Sequence, residues 1–458
     1  MTACLLARRC RRFAWALLLI ATGAVAAASP RIHWMSCPAG ADAGRSAAVM
    51  RCGEFTPGDH LGSRPVRLRI TRLQARPDRA TPHPVVYVPG GPGDAGGQHA
   101  SALRAWRIFQ QTAGWPRDLV IFDPLGTGMS TPRPRCSELG GPASADALGR
   151  CFKRLGPVTA ASLGARAQVA DLHRLIDTLN QGSVVIWAES YGALLARRLA
   201  ATHPNDVQLL ILDSPVLQPL PARRRQALAY RRRRQQLLQD CRRRLVCRLS
   251  VPSLAVAIDG LIASRRRHPS MITTAEPPRR AKTVRIDGAA VRAMIMLSAY
   301  DERDDVRVIH ALRHAVYEPA ALSALAEPLV ALDQRRGGRA PVYWSTRCSF
   351  RPVSKTAGTP AAINDPCRQW PVPRLEAVAS RIDIPTLVIA GARDVLTSPL
   401  SAGQAVLRHP GWQFLPVAGA GHGVLAHDHC AQRAVARFIA RDGAWLGAGS
   451  CPARANGP

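Results

Sequence analysis

The chain has 458 residues and a hydrophobic content of 47%, enough for one large α/β domain with a smaller insertion, and this composition excludes a disordered or fibrous protein. Its formal net charge is +31, and 59 of its 62 basic residues are arginine. This charge makes nucleic acid a partner to consider, but no nucleic-acid-binding motif or aromatic platform accompanies the arginines. We therefore predict a basic solvated surface and no nucleic-acid function.

The first 28 residues have the pattern of a secretory signal peptide. Arginines at positions 8, 9, 11 and 12 precede an apolar stretch at 13–20, and small residues at 24–28 offer a cleavage site. The apolar stretch is shorter than the roughly 20 residues of a membrane-spanning helix. We expect export to the periplasm or the exterior, with no membrane span after cleavage. A retained membrane anchor is the alternative.

Ten cysteines remain beyond this segment, and they fall into five pairs of near neighbours. An even number in an exported chain implies disulfides, although sequence alone does not fix their connectivity. No Cys-x-x-Cys pair of the metal-binding type is present, and neither a metal nor a cofactor is predicted. We predict the nearest-neighbour bridges Cys37–Cys52, Cys136–Cys151, Cys241–Cys247, Cys348–Cys367 and Cys430–Cys451.

The first part of the mature chain reads as strands separated by glycine-rich turns. Residues 51–73 predict two antiparallel strands, the second with alternating apolar and polar residues. The apolar runs 85–88 and 119–122 predict buried strands of a parallel sheet. The first of them leads into Pro-Gly-Gly-Pro-Gly at 89–93, whose glycines let backbone amides approach a ligand, although on its own it is an ordinary turn. An amphipathic helix is predicted over 165–178.

The segment 184–193 predicts a strand, a tight turn and the start of a helix. Its turn reads Ala-Glu-Ser-Tyr-Gly at 188–192, which is typical of a nucleophile elbow with Ser190 as the nucleophile. Small residues are needed on both sides of such a serine because its backbone is strained. Taken alone, an ordinary strand end with a capping serine is an equally good interpretation.

After another buried strand at 209–213 the character of the chain changes. Between residues 216 and 340 we count 25 Arg plus Lys against 11 Asp plus Glu, and helical periodicity dominates. The arginine clusters are most simply a solvated helix face, and a surface facing anions or the cell envelope is the alternative. Strands are predicted again at 384–391 and 413–417, with a closing helix at 433–439.

Alternation of strands and helices predicts a doubly wound, mostly parallel sheet of the α/β class, with a helical lid inserted after the sixth strand. The predicted domains are a signal peptide at 1–28, a first core part at 29–214, a lid at 215–340 and a second core part at 341–458.

Three residues follow predicted strands in the order Ser190, Asp394 and His422, which is the order of an α/β-hydrolase catalytic triad. In such a triad the serine attacks a carbonyl, the histidine takes its proton, and the aspartate orients the imidazole. The backbone amides of Gly91 and Tyr191 are expected to stabilise the oxyanion.

These motifs resemble the tripeptidyl and prolyl aminopeptidase branch of the α/β hydrolases, most of all its secreted, disulfide-bearing members. The resemblance covers residues 34–451 and rests on five motifs together with the cysteine spacing. It departs from the family's pattern at Pro89, where cytosolic prolyl aminopeptidases usually carry His, and at Leu125. The motifs are Pro-Gly-Gly-Pro-Gly at 89–93, Asp-Pro-x-Gly-x-Gly-x-Ser at 123–130, Glu-Ser-Tyr-Gly at 189–192, Ile-Pro-Thr-Leu-Val-Ile-x-Gly-x-x-Asp at 384–394 and Gly-x-Gly-His-Gly at 419–423.

The resemblance implies removal of residues from a free peptide N-terminus, which requires a carboxylate for the substrate ammonium. The acidic cluster 301–305 of the lid suggests Asp301 or Glu302, and Glu189 is the alternative. Surface acids paired with arginines are the plain interpretation of that cluster.

An esterase with the same triad and a non-catalytic hydrolase-fold binding protein are the other functional hypotheses. The sequence does not indicate an oligomeric state.

Overall fold

The structure is a computed structural model, and the predicted signal peptide and the residues Asp301 and Glu302 lie outside the residues that it describes. The described residues are 29–41, 50–58, 60–61, 64–75, 81–139, 144–218, 222–245, 247, 253–274, 282–300, 305–350, 365–375, 382–444, 447 and 451–452.

A nine-stranded sheet forms the centre of the described structure, in the order β1-β2-β5-β7-β6-β8-β9-β12-β13. The first three strand pairs are antiparallel, and every pair from β7 to β13 is parallel. The strands of the sheet are β1 (Arg31–Met35), β2 (Met50–Thr56), β5 (Leu68–Leu73), β6 (Val85–Val88), β7 (Leu119–Phe122), β8 (Val184–Glu189), β9 (Val207–Asp213), β12 (Thr386–Gly391) and β13 (Trp412–Val417). Two short strands, β3 (His60–Leu61) and β4 (Arg64–Pro65), pair separately.

Helices cover both faces of the sheet, because its central strands are apolar on both sides. Alternate residues of each strand point to opposite faces. In β8, Ile186 belongs to the apolar cluster on one face of the sheet, whereas Val185 and Trp187 belong to the cluster on the opposite face. The helices of the core are α1 (Ala100–Ala113), α2 (Ala145–Leu155), α3 (Pro157–Ser162), α4 (Ala165–Leu179), α5 (Gly192–Thr202), α11 (Pro399–Leu407) and α12 (His429–Ala440). This is the α/β-hydrolase fold that the sequence predicts.

The lid follows β9 and has an apolar cluster of its own. The described sheet carries β1 as an additional edge strand, so that β9 is its seventh strand along the chain. The lid also contains an antiparallel hairpin that the sequence analysis did not anticipate. Its elements are α6 (Ala222–Arg243), α7 (Leu254–Arg267), β10 (Ser270–Thr274), β11 (Lys282–Ile286), α8 (Gly288–Leu297) and α9 (Asp305–His314).

One long helix, α10 (Ser323–Ser349), leads from the lid back to the core. Leu325 near its start packs in the lid cluster, whereas Val342 packs in the main core cluster. The helix is continuous through residue 340, where the sequence places the end of the lid.

Five disulfides join the same cysteine pairs that the sequence analysis names. Each is local, with a sequence separation between 6 and 21 residues. Among the described residues, no helix combines the length and the apolar composition needed to cross a bilayer.

Candidate active site

Ser190 occupies a tight turn between β8 and α5, where its φ of 50° places the backbone in the left-handed region. This conformation costs a non-glycine residue on the order of 1–3 kcal/mol and persists only where the surroundings hold it. Here the Ser190 amide donates to the carbonyl of Asp213 at 2.9 Å, and the Ser190 carbonyl accepts from the amide of Val216 at 2.9 Å. The turn has the backbone geometry of a nucleophile elbow.

The loop after β6 crowds this turn, which explains the small residues around the serine. A Cβ atom at Gly192 would lie 2.5 Å from the carbonyl oxygen of Val88. One at Gly90 would lie 3.1 Å from the Cβ of Ser190. The first approach is impossible without a backbone shift, and the second is tighter than ordinary van der Waals contact. The glycine loop therefore lies directly against Ser190.

Asp394 and His422 form a buried pair at the ends of β12 and β13. The Nδ1 atom of His422 lies 2.9 Å from Oδ2 of Asp394. The other carboxylate oxygen accepts the amides of Leu396 at 2.8 Å and Thr397 at 2.9 Å, which fixes its orientation. Because a carboxylate only accepts hydrogen bonds, Nδ1 carries the proton and Nε2 is left with a lone pair. That arrangement suits a general base.

The charges around His422 favour its protonated form. Burial of the imidazole lowers its pKa, but the charge and hydrogen bond of Asp394, followed by the charges of Glu189 and Asp213, raise it by more. The net result is a pKa above the ordinary value of a histidine.

The end of β9 connects the three turns that carry the predicted triad. The backbone carbonyl of Asp213 binds Ser190, and its carboxylate accepts the amides of Val424 at 3.0 Å and Leu425 at 2.9 Å, just after His422. Ser214 accepts the Gly423 amide with its hydroxyl, and its carbonyl accepts the hydroxyl of Thr397 beside Asp394 at 3.0 Å. The sequence predicts neither residue as part of the site, although a carboxylate at the end of an apolar strand is a signal for Asp213.

Glu189 precedes the nucleophile and presents a partly buried carboxylate to the site. One oxygen accepts the hydroxyl of Tyr87 at 2.8 Å, and the other faces Gly423. Burial, together with the charge of Asp213, raises the pKa of Glu189 to about 7, against the opposing effects of His422 and Tyr87.

The predicted oxyanion amides belong to adjacent segments. Gly91 has a φ of 111°, and a Cβ atom on the preceding Gly90 would lie 3.7 Å from the Tyr191 amide nitrogen. Within the described part of the chain, neither the Gly91 nor the Tyr191 amide donates a hydrogen bond. Both remain available to a ligand.

The lid reaches the histidine through Tyr300, which ends a short 3₁₀ turn, Ser298–Tyr300. Its ring packs edge-on against the His422 imidazole, with centroids 5.5 Å apart and an angle of 89° between the planes. Asp94, after the glycine loop, pairs with Arg339 of α10. Elements of the lid and the helix that leaves it therefore border the predicted site on two sides.

A pocket that opens to solvent lies beside the site. Its lining includes Gly90, Pro92, Tyr191, Gln168 and Thr346, but neither Ser190 nor His422. The cavity therefore adjoins the predicted oxyanion amides and is separate from the base.

Three groups of side chains among the described residues have the spacing of metal ligands. Two of them consist of a carboxylate with the cysteines of the bridges Cys136–Cys151 and Cys430–Cys451, whose sulfurs are not free thiolates. The third contains His173, His203 and Asp206. None of the three groups contains a residue of the predicted triad.

Comparison with known proteins supports this fold. The family model for the α/β hydrolase fold matches residues 83–256, and that for the TAP-like protein family matches residues 351–444. The first match contains Ser190 and the second contains Asp394 and His422. No curated protein matches the chain.

Solved structures similar to the chain include enzymes of more than one kind. The proline iminopeptidase of Mycobacterium smegmatis is 17% identical, with a TM-score of 0.44 over 84% of this chain and 97% of that one. A thermophilic esterase from Thermogutta terrifontis is 15% identical, with a TM-score of 0.39 over 83% of this chain and 96% of that one. At these identities neither structure assigns an activity.

Proposed function

We propose that this chain, which is an α/β hydrolase with a TAP-like C-terminal region, is an exported serine aminopeptidase that releases tripeptides or single N-terminal residues such as proline. The observation that carries the proposal is the arrangement of Ser190 in a strained elbow, tied through Asp213 to the turn of a buried Asp394–His422 pair. The local disulfides fit an oxidising, exported environment.

The proposed reaction begins when Ser190 attacks the scissile carbonyl and His422 accepts its proton at Nε2. Asp394 holds the imidazole and stabilises its cation, while the Gly91 and Tyr191 amides bind the oxyanion. His422 then protonates the leaving amine, which leaves an acyl-enzyme on Ser190. Water, activated by the same histidine, releases the acyl group and restores the serine.

The preference for a free N-terminus is assigned to Glu189. A substrate ammonium needs an anion close to the nucleophile, and this carboxylate immediately precedes Ser190. With a pKa of about 7, the Glu189 carboxyl is only partly ionised near neutral pH. A bound ammonium would favour its ionised form. Asp301 and Glu302 remain alternative partners on the lid.

Substrates that differ only at the N-terminus test this proposal. Prolyl- and tripeptidyl-naphthylamides are compared with the same compounds acetylated at the amine, and with p-nitrophenyl esters. We expect cleavage of the free amines, little cleavage of the acetylated compounds, and loss of all activity in Ser190→Ala. Ester cleavage without naphthylamide cleavage would instead identify an esterase.

A further inference from the structure

A group of four charged residues, two buried and two partly buried, joins the lid to the core beside Asp394. Arg233 and Asp240 lie on α6, Asp305 begins α9, and Arg393 immediately precedes Asp394. Arg233 is only 1% exposed and Asp305 only 6%. Charged side chains this deeply buried are normally paired. We name these four residues the lid–core clamp.

The contacts of the clamp run through one core arginine. Nη2 of Arg393 donates to Oδ2 of Asp240 at 2.6 Å and to Oδ2 of Asp305 at 2.5 Å. The other oxygen of Asp305 accepts from Nη2 of Arg233 at 2.5 Å. On the same helix, Gln236 donates to the backbone carbonyl of Arg393 at 2.9 Å. The lid therefore holds both the side chain and the backbone of the residue before Asp394.

The first route from the clamp to His422 follows the backbone. The Arg393 amide donates to the carbonyl of Ala420 at 2.9 Å, in the turn that carries His422. The next residue, Asp394, binds the imidazole directly. A displacement of Arg393 would therefore move both partners of the buried pair.

The second route reaches the imidazole ring through Tyr300. Arg233 donates from Nε to the Ser298 hydroxyl at 3.1 Å and from Nη2 to its carbonyl at 3.2 Å. Ser298 begins the turn that ends at Tyr300, whose ring packs against His422. The clamp thus holds the aromatic neighbour of His422 as well as its carboxylate partner.

We propose that the lid–core clamp makes the alignment of the Asp394–His422 pair depend on the position of the lid against the core. Arg393 acts in this clamp as a positioning residue. The proposal rests on the serine-hydrolase chemistry assigned above, but not on the choice of a peptide substrate. The alignment matters because a displacement of about 1 Å can cost roughly 100-fold in rate.

The test compares Arg393→Ala and Arg393→Lys with Arg234→Ala as a matched control. Arg234 lies on α6 next to Arg233 of the clamp, but its partner Asp259 has a side chain that is 61% exposed. The measurements are the rate of Ser190 labelling by a fluorophosphonate and kcat and KM for p-nitrophenyl acetate. Neither readout requires recognition of a peptide N-terminus.

We expect Arg393→Ala to lower kcat and the labelling rate by about 10- to 100-fold while KM changes by less than about twofold. Arg393→Lys should recover part of the loss, because an ammonium keeps the charge but lacks the planar guanidinium whose Nη2 donates to both carboxylates. Arg234→Ala should behave as the unaltered protein. The low-field proton signal of His422 Nδ1 should weaken in Arg393→Ala, which reports on the pair without any turnover.

An unchanged labelling rate and proton signal in a folded Arg393→Ala protein would overturn the proposal, and a rise in peptide KM alone would assign the clamp to substrate binding. Should Arg393→Ala fail to fold, Gln236→Leu leaves all four charges paired and removes two hydrogen bonds, the one that Gln236 donates to the Arg393 carbonyl and the longer one, 3.4 Å, that it accepts from Nη1 of Arg233. It should lower kcat for the ester by about 2- to 10-fold, and an unchanged kcat would count against the clamp. Absence of Ser190 labelling in the unaltered protein would instead refute the proposed function.

Discussion

Glu189 illustrates how one position in the elbow can serve both structure and substrate. Its Tyr87 contact orients the carboxylate, and its partial exposure leaves it open to a ligand. Asp213 is the partner of Glu189 on the adjacent strand β9, and its negative charge disfavours ionisation of the Glu189 carboxyl. A bound ammonium would relieve that repulsion, whereas an acetylated substrate would not.

Glu189→Gln should therefore raise KM for a free-amine substrate by about 10- to 100-fold, the value of a charge-assisted hydrogen bond of roughly 1.5–3 kcal/mol. The amide keeps the shape of the side chain and its contact with Tyr87 but loses the charge. Kinetics with free and acetylated naphthylamides and with esters measure the effect. Glu138→Gln, in a surface pair with Arg154, is the control. An equal loss on the esters would show that Glu189 supports the fold or the triad.

The acid limb of the pH profile should report the raised pKa of His422. As the proposed base, His422 would act only when neutral, so kcat/KM should fall about tenfold per pH unit below that pKa. Because Asp394, Glu189 and Asp213 raise it, the limb should lie above the ordinary histidine value of about 6.5. Removing one negative charge in Glu189→Gln should move the limb to lower pH. Ester hydrolysis measured from pH 5 to 9 checks both statements, and a limb that stays in place would contradict the electrostatic account.

The sequence alone predicts Ser190, Asp394 and His422 because each follows an apolar strand and lies in a small-residue turn. It does not predict Asp213, Ser214 or Arg393, since their roles arise only where distant turns meet. The hydrogen bond from Val424 to Asp213, for example, spans 211 residues. No local pattern encodes such a contact.

At the scale of elements, the sequence predicts the antiparallel pair β2 and β5 within 51–73, and it predicts the strands buried on both faces from their apolar runs. β6, β7 and β12 are wholly buried, so their apolar runs are unambiguous. β1 is an edge strand that alternates between exposed and partly buried residues and has no apolar run. The hairpin of β10 and β11 lies on the lid and includes Met271, which is 65% exposed. Tertiary pairing, which local composition does not record, makes these segments strands.

The elbow can be tested with two glycine substitutions of opposite expected sign. Gly192→Ala should destabilise the protein by about 1–3 kcal/mol and abolish labelling of Ser190, because the added methyl meets the Val88 carbonyl. Gly260→Ala, within α7, meets no atom within 4 Å and should stabilise by about 0.5–1 kcal/mol. Urea unfolding together with fluorophosphonate labelling distinguishes them. Equal effects would mean that the elbow tolerates a side chain at position 192.

At the scale of the whole molecule, the bridges reinforce single segments, and none of the five joins the lid to the core. Cys241–Cys247 lies within the lid, and the other four bridges lie outside it. The lid is thus held by α10, by the lid–core clamp and by apolar contacts. Because only one partner of a buried charge pair need be removed to leave the other unpaired, this joint should be sensitive to single substitutions.

Removal of individual bridges should cost stability in the order of their loop lengths. Replacing Cys430 and Cys451 together by Ala opens a 21-residue separation and should cost about 3 kcal/mol, against about 2 kcal/mol for the 6-residue separation of Cys241 and Cys247. Urea midpoints of the two double variants measure the difference. The reverse order would show that native packing around the bridges, and not the loop length, decides their effect.

The bridges also follow one another along the chain, and none encloses or crosses another. In a mature chain that enters an oxidising compartment from its N-terminus, each second cysteine is the first free partner to arrive after the one before it. Oxidation in the order of emergence therefore yields the native set directly. A chain exported in this way would need no isomerase to reshuffle its cysteines, and its oxidation would finish segment by segment during translocation.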